Sequence, residues 1–189
     1  MIAGVILAAG ESRRMGFPKP LLPYKGTTFL GHLLDVMKDQ VAPLIVVLGH
    51  HAERIPIPSF AQTVINPNYH LGQLSSLQSA ICNLKSAILV ALVDHPCIER
   101  SLVATLIAAY KKDRPRVLIP TYHGRRGHPM IFSQELIPEL LAAPLDEGAR
   151  AVVRRHQAME LPVDDEGILL DLDDPESYRR VTGNPVPSA

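Results

Sequence analysis

Val5-Ile6-Leu7-Ala8-Ala9-Gly10-Glu11-Ser12-Arg13-Arg14-Met15-Gly16-Phe17-Pro18-Lys19-Pro20-Leu21-Leu22-Pro23 is the stretch on which the fold turns. An apolar, partly β-branched run from Ile2 to Ala8 ends in small residues and a glycine. Three cations follow: Arg13, Arg14 and Lys19. Continuous apolar runs of this length read as interior strands. The chain is therefore predicted to open with a buried strand that delivers a basic loop at its carboxyl end. Leu7-Ala8-Ala9-Gly10 lets a backbone approach a ligand closely. The arginines offer planar forks and the lysine a point charge, a set suited to polyphosphate. The loop is not a Walker A motif, because no GxxxxGK[ST] is present, and the dinucleotide fingerprint GxGxxG is also absent. A solvated surface loop is the plain alternative.

Working outward, strands are predicted over 44–48, 63–65, 87–93, 117–120, 129–132 and 168–172. Helices are predicted over 28–40, 75–83, 99–112, 134–141 and 148–156, with a last one opening at Pro175. Strands alternate with helices through the first two thirds. That pattern predicts a three-layer α/β/α, Rossmann-like fold with a mostly parallel sheet. The run from Ala87 to Val93 is the most apolar and is expected at the centre. One domain is expected over residues 1–182, followed by a flexible tail, 183–189, rich in proline and small residues.

A chain of 189 residues can bury a core without disulfide or metal staples. Its 19 basic and 19 acidic residues cancel, so bulk charge argues against a nucleic-acid partner and any basic site must be local. Cys82 and Cys97 lack metal-type spacing and fit a reducing compartment. The longest apolar run is too short to cross a bilayer. No basic region precedes the first apolar run, unlike a signal peptide. A cytoplasmic protein with no membrane association is expected.

Asp94 ends the most apolar strand, at the carboxyl edge where open α/β sheets bind ligands. A carboxylate facing a triphosphate there is a natural Mg²⁺ ligand; a turn aspartate is the alternative. Asp171 and Asp173 alternate with Leu170 and Leu172, which in a strand sends both carboxylates from one face. One of them would complete the metal site, or the group would serve only turn and capping chemistry before Pro175. Gly72 to Ser76 opens a helix whose free N–H groups suit an anion or a base edge, with Ser75 also a plausible cap. Arg126, Gly127, His128 and Pro129 would contact an acceptor phosphate or merely hold a turn. His50 and His51 end a strand without the spacing of a zinc site.

Leu7 to Pro23 also closely resembles the nucleotidyltransferase pattern LAAGxSxRMGxxKxLLP, matched at every fixed position. Asn66-Pro67 with Gly72-Gln73-Leu74-Ser75-Ser76-Leu77 resembles that family's NPxxxxGxxxSL segment. Val93-Asp94-His95-Pro96 resembles its DxP motif, Gly124 to Pro129 its GRRGHP loop, and Asp171 to Tyr178 its closing DIDTPEDY, with Asp174 in place of the usual threonine. The resemblance spans essentially the whole chain and points to the molybdenum cofactor cytidylyl- and guanylyltransferases. It implies a nucleoside triphosphate and a molybdopterin-type acceptor as substrates, Mg²⁺ as cofactor, and a molybdoenzyme or its maturation factor as partner. It also implies Arg13, Arg14, Lys19 and Asp94 as catalytic, and Asp94 with Asp171 or Asp173 as metal ligands. Leu7, Ala8, Ala9, Gly10, Asn66, Gly72, Ser75 and Ser76 would hold the nucleotide, and Arg126 to Pro129 the acceptor. Ala9 matches the cytidylyl branch, where the guanylyl branch tends to carry a second glycine. Its methyl group narrows the space for a purine. A sugar-phosphate nucleotidyltransferase and a non-catalytic accessory protein are the competing expectations. A Rossmann oxidoreductase is disfavoured by the missing glycines.

Overall fold

β1 (Ile2–Leu7) is buried along its whole length, and its side chains feed two separate apolar clusters. Ile2 and Ile6 join one; Ala3, Val5 and Leu7 join the other. That alternation marks a strand covered on both faces. A computed structural model, which describes residues 1–188, shows what covers them. β1 pairs in parallel with β4 (Leu44–Leu48) on one side and β6 (Ala87–Leu92) on the other, and β5 (Gln62–Ile65) runs parallel beyond β4. On the far side of β6 lie β9 (Met130–Phe132), β7 (Val117–Tyr122) and β10 (Met159–Pro162). The sheet order is β10-β7-β9-β6-β1-β4-β5, with β8 (Arg125–Arg126) paired to β7. β9 runs antiparallel to both of its neighbours, while β10 returns parallel to β7. A small hairpin joins β2 (Pro23–Tyr24) to β3 (Thr27–Thr28).

Helices α1 (Phe29–Met37), α3 (Arg100–Asp113) and α6 (Pro175–Thr182) cover one face. Phe29, Leu33, Val103, Leu106 and Tyr178 carry that contact. Helices α2 (Gln73–Ile81), α4 (Ile137–Ala142) and α5 (Arg150–Arg155) cover the other. There Leu74, Leu77, Ile137, Leu140 and Val152 pack. The fold is therefore the predicted three-layer α/β/α arrangement on a mostly parallel sheet, and β6 is central as its apolar run requires. α1 fits close because Gly4 has no side chain: a Cβ there would lie 2.5 Å from Val41 Cγ2 and 2.8 Å from Met37 Cε. α6 is capped by Asp174, whose carboxylate accepts from the Ser177 N–H at 2.8 Å. Tyr178 donates its hydroxyl to the Pro23 carbonyl at 3.0 Å, tying the last helix to the first hairpin.

The late strand expected over 168–172 does not form. Glu166–Leu169 is a 3₁₀ turn, and an extended, unpaired segment follows. The cause is local. Asp165 accepts from the Gly167 N–H at 2.8 Å, and Gly167 passes so close to Cys97 that a Cβ would lie 2.5 Å from its carbonyl oxygen. The segment then crosses the carboxyl edge of the sheet, where the Leu172 N–H donates to the Asp94 carbonyl at 2.8 Å. The two-residue strands β2, β3 and β8 and the strand β10 are not among those expected; β10 is a short edge strand with alternating polarity and a terminal proline, which edges tolerate. Val186, in the expected tail, is half-buried against the core; the tail's last residue, Ala189, lies outside the described residues. Among the described residues, no helix is long and apolar enough to cross a membrane.

Asn66 locks the end of β5 to the start of α2. It is 2 % exposed. Its amide donates to Ser75 Oγ (2.9 Å) and Ser76 Oγ (3.0 Å), and its Oδ1 accepts from the Asn68 N–H at 2.9 Å. Asn66→Ala removes all three bonds and leaves buried polar groups behind. A loss of about 2–3 kcal/mol is expected in urea unfolding; a loss below about 0.5 kcal/mol would show that the clamp is not structural.

Candidate active site

Three separated pieces of chain meet at the carboxyl edge of the sheet: the loop after β1, the turn after β6, and the segment before α6. Lys19 joins them. It is 8 % exposed, a rare position for a lysine without partners. Its backbone N–H donates to Ser12 Oγ at 3.0 Å, and Ser12 takes a left-handed φ of 56° that folds the loop back on itself. Lys19 Nζ then donates to Asp94 Oδ2 at 3.2 Å and to one oxygen of Asp173. Arg14 donates to the other oxygen of Asp173. Burial opposes ionisation of Asp173, but the hydrogen bond and charge of Lys19, with Arg14, outweigh it and hold the carboxyl below its usual range. Arg13 stands apart, highly exposed and paired with Glu11.

Asp94, His95 and Asp171 form a second group. One ligand atom from each lies within 4.8 Å of the others. Burial pushes the Asp171 carboxyl up, and the neighbouring Asp94 and Asp173 charges add to this. Crowded carboxylates of this kind are relieved by a cation. His95 Nδ1 is buried and has no hydrogen-bond partner among the described residues. Two carboxylates and an imidazole nitrogen are a donor set that fits a divalent ion. Of the expected metal ligands, Asp94 and Asp171 are brought together. Asp173 is not in that group, because both its oxygens are engaged by Lys19 and Arg14. The alternation argument failed because 171–173 is not a ladder strand. His95 is instead the side chain grouped with the two aspartates; its only sequence signal is adjacency to Asp94.

Two cavities border this group: Asp94 lines the smaller, His95 and Asp171 the larger. The smaller, about 270 Å³, lies between the first loop and the start of α2. Leu7, Ala8, Ala9, Gly10, Gly72 and Ser76 line it as expected, together with Arg13, Arg14, Lys19 and Asp94. Tyr69 and Gln73 complete its far wall; Tyr69 is braced by His50, whose Nδ1 lies 3.2 Å from the phenol oxygen. A Cβ on Gly10 would meet nothing within 4 Å, so that glycine leaves room in the cleft and is not required by protein packing. Gly72 has a φ of 98° and presents the N-terminus of α2 to the cavity, a polarity suited to anions. Asn66 and Ser75, expected as nucleotide contacts, do not line the cavity; they sit behind it and hold its wall.

The larger cavity, about 780 Å³, shares Leu7 and Gln73 with the smaller one. Leu74, Leu77, Ile119, Met130 and Phe132 line it on the apolar side, and Arg126 and Arg150 on the charged side. Gly127, His128, His95 and Asp171 also face it, while Pro129 is buried and does not. Gly127 is demanded by packing: a Cβ there would lie 2.4 Å from the Ile168 carbonyl oxygen, which accepts from the His128 N–H at 3.0 Å. Burial, then the neighbouring His95, lowers the His128 pKa to about 4, with Asp94 opposing. His128 is thus a neutral imidazole near pH 7, whose ring centroid lies 5.0 Å from that of His95.

Residues 4–159 match the model of the MobA-like NTP transferase domain. The nicotine blue oxidoreductase of Paenarthrobacter nicotinovorans is 34% identical over 173 residues, 82% of each chain. The molybdenum cofactor cytidylyltransferase of Escherichia coli (strain K12) is 25% identical over 183 residues, 92% of each chain. A molybdenum cofactor guanylyltransferase of Shewanella sp. (strain MR-4) is 26% identical over 189 residues, 95% of this chain and 94% of the relative. Among solved structures, Rv0371c from Mycobacterium tuberculosis H37Rv superposes with a TM-score of 0.86 at 32% identity, covering 97% of each chain. A complex of Rv0371c with manganese superposes with a TM-score of 0.80 at 29% identity, covering 97% of this chain and 98% of the other.

His128 gives the site a pH signature. The unfolded imidazole protonates near pH ~6.5, whereas the folded one resists protonation down to about 4. Its contribution to stability is therefore complete above about pH 6.5 and is lost as pH falls toward 4. The raised Asp171 carboxyl acts in the opposite sense, so the useful quantity is the difference from His128→Asn. Between pH 7 and 4.5 the wild type is expected to lose about 2 kcal/mol more than that variant in chemical unfolding. A difference that does not vary with pH would contradict a neutral, desolvated His128.

Proposed function

The chain belongs to the MobA-like NTP transferase domain family, and from that premise we propose that it moves a nucleoside monophosphate from CTP, in preference to GTP, to the phosphate of a molybdopterin-type acceptor. One observation carries the reading. The two cavities share the walls Leu7 and Gln73, with Asp94 facing the smaller and Asp171 the larger, and the cations Arg13, Arg14 and Lys19 line only the smaller. Three cations beside the Asp94 carboxylate suit a triphosphate tail in the smaller cavity, and the larger, with apolar residues and Arg126, Arg150 and Arg154 in its lining, suits an acceptor that carries a phosphate.

The roles follow from the chemistry of each residue. The Leu7–Gly10 backbone and the N-terminus of α2 would hold base and ribose. Arg13, Arg14 and Lys19 would take the β- and γ-phosphates and then the departing pyrophosphate. Asp94 and Asp171 would hold a divalent cation, Mg²⁺ in the expected case. When bound, such an ion neutralises charge on the α-phosphate. Arg126, Gly127 and His128 would orient the acceptor over the apolar floor. An acceptor phosphate oxygen attacks the α-phosphorus, the bond to the β-phosphate oxygen breaks, and pyrophosphate leaves. A phosphate monoester is largely ionised near pH 7, so no general base is needed and catalysis rests on positioning and charge. Ala9 lines the smaller cavity, which supports the smaller base. A molybdoenzyme or its maturation factor would receive the product.

A second reading is a redox enzyme. It is favoured by the 34% identity to a protein named nicotine blue oxidoreductase, above the 25% to the cytidylyltransferase. The test is to incubate the protein with Mg²⁺, molybdopterin and each of CTP, GTP, UTP and ATP, and to measure pyrophosphate. Release with CTP ahead of GTP is expected, and Asp94→Asn should lower it on the order of a hundredfold or more with the fold retained. No release with any triphosphate would contradict the proposal. Oxidation of a reduced nicotinamide cofactor, indifferent to Asp94→Asn, would favour the second reading.

A further inference from the structure

We propose that His95 is a third metal ligand beside Asp94 and Asp171, and that its nitrogen makes this site prefer first-row transition ions to Mg²⁺. The inference rests on the site reading only in placing a divalent ion between the two carboxylates. Three observations support it. A ring nitrogen of His95 lies within 4.8 Å of carboxylate oxygens from both aspartates. Its Nδ1 is buried and finds no partner among the described residues, and an orphaned buried nitrogen is costly unless something satisfies it. The backbone also fixes the group as a unit. The His95 N–H donates to the Leu92 carbonyl at 3.1 Å, and the Leu172 N–H to the Asp94 carbonyl at 2.8 Å.

The chemistry of the donors decides the preference. Mg²⁺ favours oxygen and retains water, so an imidazole adds little for it. Mn²⁺ accepts mixed oxygen and nitrogen ligands, and Co²⁺ and later ions bind nitrogen more strongly in order. Lys19 and Arg14 occupy Asp173, which leaves His95 as the third side chain grouped with the two aspartates. An all-carboxylate set would have favoured Mg²⁺; replacing the third carboxylate by a neutral nitrogen removes a charge and softens the site.

The test uses the full chain with metal alone. Mn²⁺ bound to the wild type is expected to show a ¹⁴N coupling in its electron spin-echo spectrum. His95→Ala should abolish that coupling and weaken Mn²⁺ and Co²⁺ binding about tenfold or more, by calorimetry, while Mg²⁺ affinity shifts less than about threefold. His128→Asn disturbs the same neighbourhood without removing the ligand and should keep the coupling. If His95→Ala fails to fold by circular dichroism, His95→Gln replaces it with the same expectations. Mn²⁺ bound with no nitrogen coupling, coupling that survives in the His95 variant, or no binding of Mn²⁺ to the wild type would each overturn the inference. Nucleotide transfer that persists in any of those cases would leave the functional reading standing. A histidine coupling in a protein that transfers no nucleotide would do the reverse.

Discussion

Lys19 carries its ammonium into a cleft where only a tenth of its side chain meets water. A charge so placed must be compensated, and the compensation organises the site. It draws Asp94 from the turn after β6 and Asp173 from the segment before α6, elements far apart in the chain. Without that cation, Asp94, Asp171 and Asp173 would face one another with little between them. The balance is also informative in total. In the lining of the smaller cavity Arg13, Arg14 and Lys19 stand against Asp94 and Asp173, so most of its positive charge is already compensated from within the chain. A polyphosphate that displaced those carboxylates would meet the three cations, and a metal held by Asp94 and Asp171 would offset the negative charge that remained.

Backbone contacts make this arrangement rigid. Gly127 and Gly167 allow the late segment to press against the Gly-His-Pro loop and the Cys97 carbonyl, at approaches a side chain would forbid. Leu172 then hydrogen-bonds Asp94, and the α6 cap at Asp174 with the Tyr178–Pro23 bond holds the far end. The two carboxylates of the late segment consequently serve different partners: Asp171 turns to Asp94 and His95, Asp173 to Lys19 and Arg14. Asp173 occupies the cations that a triphosphate would need, so nucleotide binding in this account includes an exchange of one anion for another.

Much of this was legible in the sequence because the interior strands β1, β4 and β6 are continuous apolar runs and the helices between them are amphipathic. The layers and the central place of β6 follow directly. What could not be read depends on contacts between distant segments. β10 is only four residues long and ends in proline, so its alternation is too brief to mark it as a strand. Residues 168–172 look like a strand in composition, but Asp165 and Gly167 turn the chain before a ladder can start. Asn66 and Ser75 bond one another and do not line the cleft, a pairing that no local pattern announces. The grouping of His95 with the aspartates has no local mark because Asp171 becomes its neighbour only after the late segment crosses the sheet edge.

The central claim is that the Lys19 cluster receives a triphosphate. Calorimetric titration of CTP with a divalent cation into the wild type and Lys19→Met tests it most directly. The account predicts one site per chain in the wild type and an affinity lower by about tenfold or more in the variant, on the scale of a lost charge-assisted hydrogen bond. Equal affinity in the two proteins, with the variant folded, would contradict it.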